Sequence, residues 1–232
     1  MKQARVDESI ALLQQAEAQF APDLVFACSF GAEDVVLLDL ISKHAPTIGI
    51  ITLDTGRLPQ PTYDVMDACR AKYGIHIQVC FPDADEVEQM VNKHGLNLFY
   101  HSVENRKRCC GIRKIHPLRR ALSNKKAWIT GVRREQADSR QNMAAIEDDN
   151  FFGLKKFNPL IDWGEDDIWA YIREFDVPYN ALHDRHYPSI GCLPCTRSIT
   201  AGEDPRSGRW WWEHEDGVAE CGLHASPIKR KS

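Results

Sequence analysis

The sequence predicts an α/β fold, a doubly wound and mostly parallel sheet, and three observations carry that expectation. Short apolar runs of strand length recur at residues 24–28 (LVFAC), 48–53 (IGIITL), 75–80 (IHIQVC) and 127–130 (AWIT). Helical stretches alternate with them, and parallel strands need such crossovers, which are right-handed. Polar turns follow three of the runs, at residues 29–34, 54–57 and 131–134. In such a sheet these turns lie beyond the carboxyl ends of the strands, where ligands bind, so they are expected to form one pocket.

In chain order, residues 8–18 read as an amphipathic opening helix before the first run. Residues 35–40 continue a helix from the SFGAED turn, residues 63–72 form another, and helical material extends to about Leu122. Asp162 is the expected N-cap of a helix over 165–175. Pro178, Pro188 and Pro194 then break regular structure, and from Thr200 a polar, glycine-punctuated tail follows, interrupted by Trp210, Trp211 and Trp212. The expected organisation is an α/β domain over 1–199 and a mobile tail over 200–232.

The chain has 232 residues, 43% hydrophobic and 27% charged, which suits one sizeable core. A net charge of -4 gives no general attraction to nucleic acid or to an anionic membrane. The first ten residues, MKQARVDESI, do not resemble a signal peptide, and no run of eighteen apolar residues occurs. A cytoplasmic protein without nucleic-acid or membrane partners is expected.

Eight cysteines in a reducing compartment point to metal ligands, catalytic thiols or core residues. Cys192 and Cys195 form a CLPC motif, and Cys109 and Cys110 are adjacent. Together they make a four-thiolate set for tetrahedral zinc or a [4Fe–4S] cluster. Consecutive side chains diverge, which favours the separate iron corners of a cluster. A thioredoxin-type dithiol at CLPC is the alternative. Cys28, Cys69 and Cys80 lie in apolar strands or a helix and read as core residues.

Residues 106–126 hold nine Lys or Arg and no Asp or Glu. If this stretch is helical, Arg113 follows Cys109 by four residues and Lys114 follows Cys110 by four, placing cations on the thiolate face. They would balance a thiolate cluster and meet an anionic substrate. A solvated basic face or an RNA-binding stripe is the alternative.

Seven motifs together resemble the thioredoxin-dependent, assimilatory adenylylsulfate reductases, relatives of the phosphoadenylylsulfate reductases. They are SFGAEDVVL (29–37), LDTGRL (53–58), KRCCGIRK (107–114), GVRREQ (131–136), GCLPCTR (191–197), GRWWWE (208–213) and ECGLH (220–224). The resemblance implies an adenine nucleotide alpha-hydrolase-like fold. It implies a nucleotide loop from Ser29, Phe30, Gly31, Glu33 and Asp34, and adenosine held by Leu53, Asp54, Thr55, Gly56, Arg57, Gly131 and Arg133. Lys114, Arg140, Arg206, Arg209 and His224 would face the phosphosulfate, and Cys109, Cys110, Cys192 and Cys195 would hold a [4Fe–4S] cluster. Catalysis would fall to Cys221 with Lys114 and His224: reduction of adenosine 5'-phosphosulfate to sulfite and AMP through an S-sulfocysteine, resolved by thioredoxin or glutaredoxin. Homo-oligomerisation stays open. In the related ATP pyrophosphatases the loop reads Ser-Gly-Gly-x-Asp-Ser; here Phe30 occupies the first glycine position and the final serine is replaced, so ATP cleavage with magnesium is not expected. One departure from the family stands out: Ala219 stands where family tails often carry Lys.

Overall fold

A computed structural model describes residues 3–137 and 140–213. In chain order its elements are α1 (Gln3–Phe20), β1 (Leu24–Ala27), α2 (Ala32–His44), β2 (Gly49–Leu53), α3 (Gln60–Tyr73), β3 (Ile77–Cys80), α4 (Ala84–His94), α5 (Val103–Cys110), α6 (His116–Leu122), β4 (Ala127–Ile129), β5 (Ile146–Asp149), β6 (Leu154–Phe157) and α7 (Glu165–Glu174). Two compact units interleave along the chain. The first comprises the chain up to Thr52, Gln60–Val79 and Leu122–Asn180, and the second Leu53–Pro59, Cys80–Ala121 and the chain from Ala181 onward.

The first unit carries the sheet, in strand order β3-β2-β1-β4-β6-β5. Pairs β1–β2, β1–β4 and β4–β6 are parallel, and β5 runs antiparallel to β6. All three residues of β4 are buried, as are Leu24, Val25 and Phe26 of β1, which suits strands covered on both faces. Helix α2 buries nine residues, including Asp39, and packs against α1, α3 and α7. The Asp39 carboxylate accepts hydrogen bonds from Tyr171 Oη (2.6 Å) and Lys43 Nζ (2.7 Å), joining α2 to α7 inside the apolar core. Burial among these groups raises the pKa of Tyr171.

The doubly wound, mostly parallel sheet is as expected, with two differences. The sequence reading missed the β5–β6 hairpin. Helix α7 begins at Glu165, where the sequence places it, but its N-cap is Gly164 and not Asp162: Asp167 Oδ2 accepts from Gly164 N (3.2 Å), while the Asp162 carboxylate pairs with Arg134. The acidic first turn then does the capping from inside the helix.

In the second unit, Asp83 and Ser102 cap α4 and α5 through side-chain bonds to Glu86 N and Asn105 N. Between α5 and α6 the chain stays helical but widens into a π turn over Gly111–Ile115, where His116 N reaches Gly111 O. The turn comes directly after Cys109 and Cys110, and such turns recur at functional positions. A small apolar cluster forms from Met90, Leu98, Phe99, Cys109, Cys195 and Trp210. Among the described residues, no helix is long and apolar enough to cross a membrane.

Candidate functional site

The turn after β1 makes an anion-ready loop in the first unit. Phe30 sits at φ 61°, in the left-handed region, with its ring 1% exposed in the core. Its contribution to a ligand would be backbone, because the ring is used for packing. Gly31 caps α2 without a side-chain bond, leaving this helix start to present backbone N–H groups. Ser29 does not point its donors outward: its N–H and hydroxyl both reach Asp34 Oδ2, at 2.5 and 2.6 Å. Burial pushes the Asp34 carboxyl up to about 6, against the two Ser29 donors that favour its charge.

The turn after β4 meets this loop. A Cβ on Gly131 would overlap Asp34 Oδ1 and crowd Glu33, so only glycine allows the approach. Arg133, 6% exposed, donates from Nε to Glu33 Oε1 (2.9 Å). Gln136 Oε1 accepts from Arg133 N (3.0 Å) and from the Arg140 guanidinium, so Arg133 and Arg140 share one partner. Ser29, Phe30, Gly31, Glu33, Asp34, Gly131, Arg133 and Arg140 thus form one connected group.

The second unit holds the cysteines. Cys109, Cys110, Cys192 and Cys195 line a single cavity with about 310 Å³ of empty space, together with Arg57, Phe99, Arg106, Arg113, Lys114 and Pro194. Adjacent Cys109 and Cys110 reach it from the end of α5, and the short turn Leu193–Cys195 brings Cys195 and its neighbour Cys192 from the other side. Burial raises the Cys109 thiol, offset by the Arg113 guanidinium. Burial pushes Cys195 up to about 12; the neighbouring Cys192 adds to this, and Lys114 and Arg209 oppose it. A bound group that takes Cys109 and Cys195 as thiolates would meet cations already in place. Among the described residues, no three His, Cys, Asp or Glu side chains form a ready ligand set for one metal ion.

The Leu53–Arg57 turn belongs to this second unit and is tied to the cysteines. The Thr55 hydroxyl lies 3.2 Å from Cys192 Sγ, Leu193 N donates to Arg57 O (2.8 Å), and Arg113 Nη1 donates to Thr55 O (2.7 Å). Asp54 Oδ1 accepts from Gly56 N, which has φ 71°. The Arg57 guanidinium turns to Leu96 O (2.7 Å) and Asn97 Oδ1 (3.0 Å), over the Phe99 ring. Arg57 is also among the residues that line the cysteine cavity.

Arg209 Nη1 donates to Ser189 Oγ (3.1 Å), and its guanidinium fills the space that a Cβ on Gly191 would occupy. Arg206 N bonds Asp204 Oδ1. The sequence reading did not pair Arg106 with Glu213, nor place Phe99 and Arg106 at the cavity; the basic bias of residues 106–126 was the available signal for Arg106. Cys221 and His224 lie outside the described residues.

Comparison with known proteins adds the family. The phosphoadenosine phosphosulfate reductase domain matches residues 23–198. A protein of Burkholderia cepacia called adenosine 5'-phosphosulfate reductase is 50% identical over 97% of this chain and 89% of its own length. One of the same name from Allochromatium vinosum is 49% identical over 93% and 84%. The crystal structure of a phosphoadenylyl-sulfate reductase from Candida auris, a phosphate complex, superposes with a TM-score of 0.70 at 31% identity, covering 86% of this chain and 98% of that one. Candida glabrata FMN adenylyltransferase, 15% identical, superposes at 0.58 over 94% of this chain and 73% of its own, and shares the fold. The chain belongs to the phosphoadenosine phosphosulfate reductase domain family.

Proposed function

We propose that this chain reduces adenosine 5'-phosphosulfate to sulfite and AMP in assimilatory sulfate reduction, with thioredoxin or a similar dithiol protein as reductant. The cavity lined by four cysteines and four cations carries the reading, because it matches the paired motifs on which the resemblance rests. The substrate named for the relatives at about 50% identity agrees with it.

The donor set fits a [4Fe–4S] cluster. Four soft thiolate donors border one space, and Arg57, Arg106, Arg113 and Lys114 stand around it to offset their charge. Cys109, Cys110, Cys192 and Cys195 would hold the cluster, which would supply a fixed block of charge beside these cations.

The chemistry itself is assigned to Cys221, on the tail segment from residue 200. Its thiolate attacks the sulfur of the substrate, an S–S bond forms, the sulfur–oxygen bond to phosphate breaks, and AMP leaves with the electron pair. A thiolate of the reductant then attacks Cys221 Sγ and sulfite departs with the S–S electron pair. The second thiol of the reductant releases Cys221 and leaves a disulfide, so the dithiol supplies the two electrons. Lys114, Arg140, Arg206, Arg209 and His224 provide cations or donors for the phosphosulfate oxygens. The turns at 29–34 and 131–133, which meet in the first unit, hold the nucleotide. The protein works in the cytoplasm, without nucleic acid or membrane partners.

Incubation with adenosine 5'-phosphosulfate and no reductant should leave a sulfonate on the Cys221 peptide, detected by mass spectrometry. Its absence in active protein would remove the mechanism. Turnover of the 3'-phosphorylated substrate at an equal rate would instead favour the Candida auris type of activity.

A further inference from the structure

Two arginines of the first unit converge on one neutral side chain. Gln136 ends the short helical turn Arg134–Gln136, and its Oε1 accepts both from Arg133 N (3.0 Å) and from the Arg140 guanidinium. An amide nitrogen cannot accept, so two donors on one atom fix which end of the carboxamide faces them. Arg133 and Arg140 are 6% and 7% exposed, so water competes little for these bonds.

The surroundings set the two arginines apart. Arg133 has carboxylates beside it, Glu33 at 2.9 Å and Glu135 at 3.5 Å, and it also donates to Trp163 O (3.3 Å). These three contacts hold its side chain without Gln136. The stretch that carries Gln136 and Arg140 is pinned on either side, by Arg134 N on Ile161 O (3.1 Å) and by Asn158 Nδ2 on Ala144 O (2.8 Å). Between these anchors the Gln136 oxygen gives the Arg140 guanidinium its direction. A neutral oxygen orients a guanidinium without taking its charge, whereas a carboxylate in that place would compete for it with an anionic ligand.

We infer that Gln136 is a positioning residue for the reaction: its carboxamide oxygen aims the Arg140 guanidinium at the phosphosulfate. The inference rests on the reading of Arg140 as a phosphosulfate contact. Gln136 closes the GVRREQ motif, yet that reading gives a role only to Gly131 and Arg133 within it. Without the Gln136 oxygen the long Arg140 side chain gains rotamers, and a group misplaced by about 1 Å costs the rate up to about a hundredfold. Because Gln136 works through Arg140, its removal should matter only while Arg140 is present.

The experiment is a double-variant cycle in cofactor-loaded protein: the parent, Gln136→Met, Arg140→Ala and the two combined. It compares kcat/KM for adenosine 5'-phosphosulfate, iron content and Tm. Gln136→Met, similar in length but without the amide oxygen, should lose about ten- to a hundredfold in kcat/KM, with the iron content of the parent. In the Arg140→Ala protein the same substitution should cost less than about twofold, because residues that act as a unit do not add. Gln136→Asn, which keeps the amide but draws its oxygen back by one bond, should fall between, and carries the cycle if Gln136→Met does not fold. Equal losses with and without Arg140 overturn the inference and mark a structural role, as does parent-like kcat/KM in Gln136→Met. Parent-like kcat/KM in Arg140→Ala refutes the reading of Arg140, and the inference with it. No turnover in the loaded parent refutes the proposed reaction itself.

Discussion

Asp34 is held in the sheet loop at a cost that pH should expose. Its carboxyl is 7% exposed and pushed from 3.8 to about 6, chiefly by burial. The native state therefore holds this proton more tightly than the unfolded chain, and the group loses stability for the fold as pH rises from about 4 to about 6. The difference of roughly two pK units corresponds to about 3 kcal/mol, present as a penalty above pH 6 and absent below pH 4. Asp34→Asn removes the titration while keeping the shape. Urea unfolding of both proteins from pH 3.5 to 7.5 should show the parent losing about 3 kcal/mol relative to the variant over that window. The penalty is tolerated because the ionised carboxylate accepts both Ser29 donors and so sets the loop. Parent kcat/KM should accordingly fall on the acid side of about pH 6, with a limb that Asp34→Asn lacks. Parallel stability curves for the two proteins would refute the argument.

Two further outcomes follow from the same geometry. Phe30 combines a buried ring with φ 61°. Phe30→Ala should lose about 3–5 kcal/mol. Phe30→Gly should be no worse by more than about 1 kcal/mol, because relief of the left-handed backbone offsets glycine's entropy and the lost methyl; a much larger gap in urea titrations would show the backbone unstrained. Lys114 opposes the upward shift of Cys195, and Lys114→Ala should cut turnover roughly a hundredfold with iron content unchanged. Normal turnover would remove Lys114 from the substrate site.

The alternating apolar runs were legible because strands buried on both faces need unbroken hydrophobic sequence, and β1 and β4 have it. The β5–β6 hairpin was not. Its strands read IEDD and LKKF, too charged for a hydropathy argument. Lys156 is nevertheless 4% exposed, because the antiparallel register sets it opposite Glu147 at 2.9 Å and its ammonium lies 5.7 Å from the Trp128 ring centre. Pairing across strands neutralises a charge that local sequence shows as solvent-seeking. The cap of α7 differs for a similar reason: the contact with Arg134 takes the Asp162 carboxylate away, and Asp167, inside the first turn, accepts from Gly164 N instead.

By itself the sequence determined the strand–helix alternation, the three polar turns, the four-cysteine set and the unusual density of cations beside it, since each depends on residues close together in the chain. Tertiary structure alone decided the partners. Arg57 lines the cysteine cavity with its guanidinium held by Leu96, Asn97 and Phe99, and Ser29 gives both donors to Asp34, whose carboxylate is largely buried. Arg106 meets Glu213 across 107 residues. Such contacts are set by which surfaces are buried together, and the order of residues along a chain carries no direct record of that.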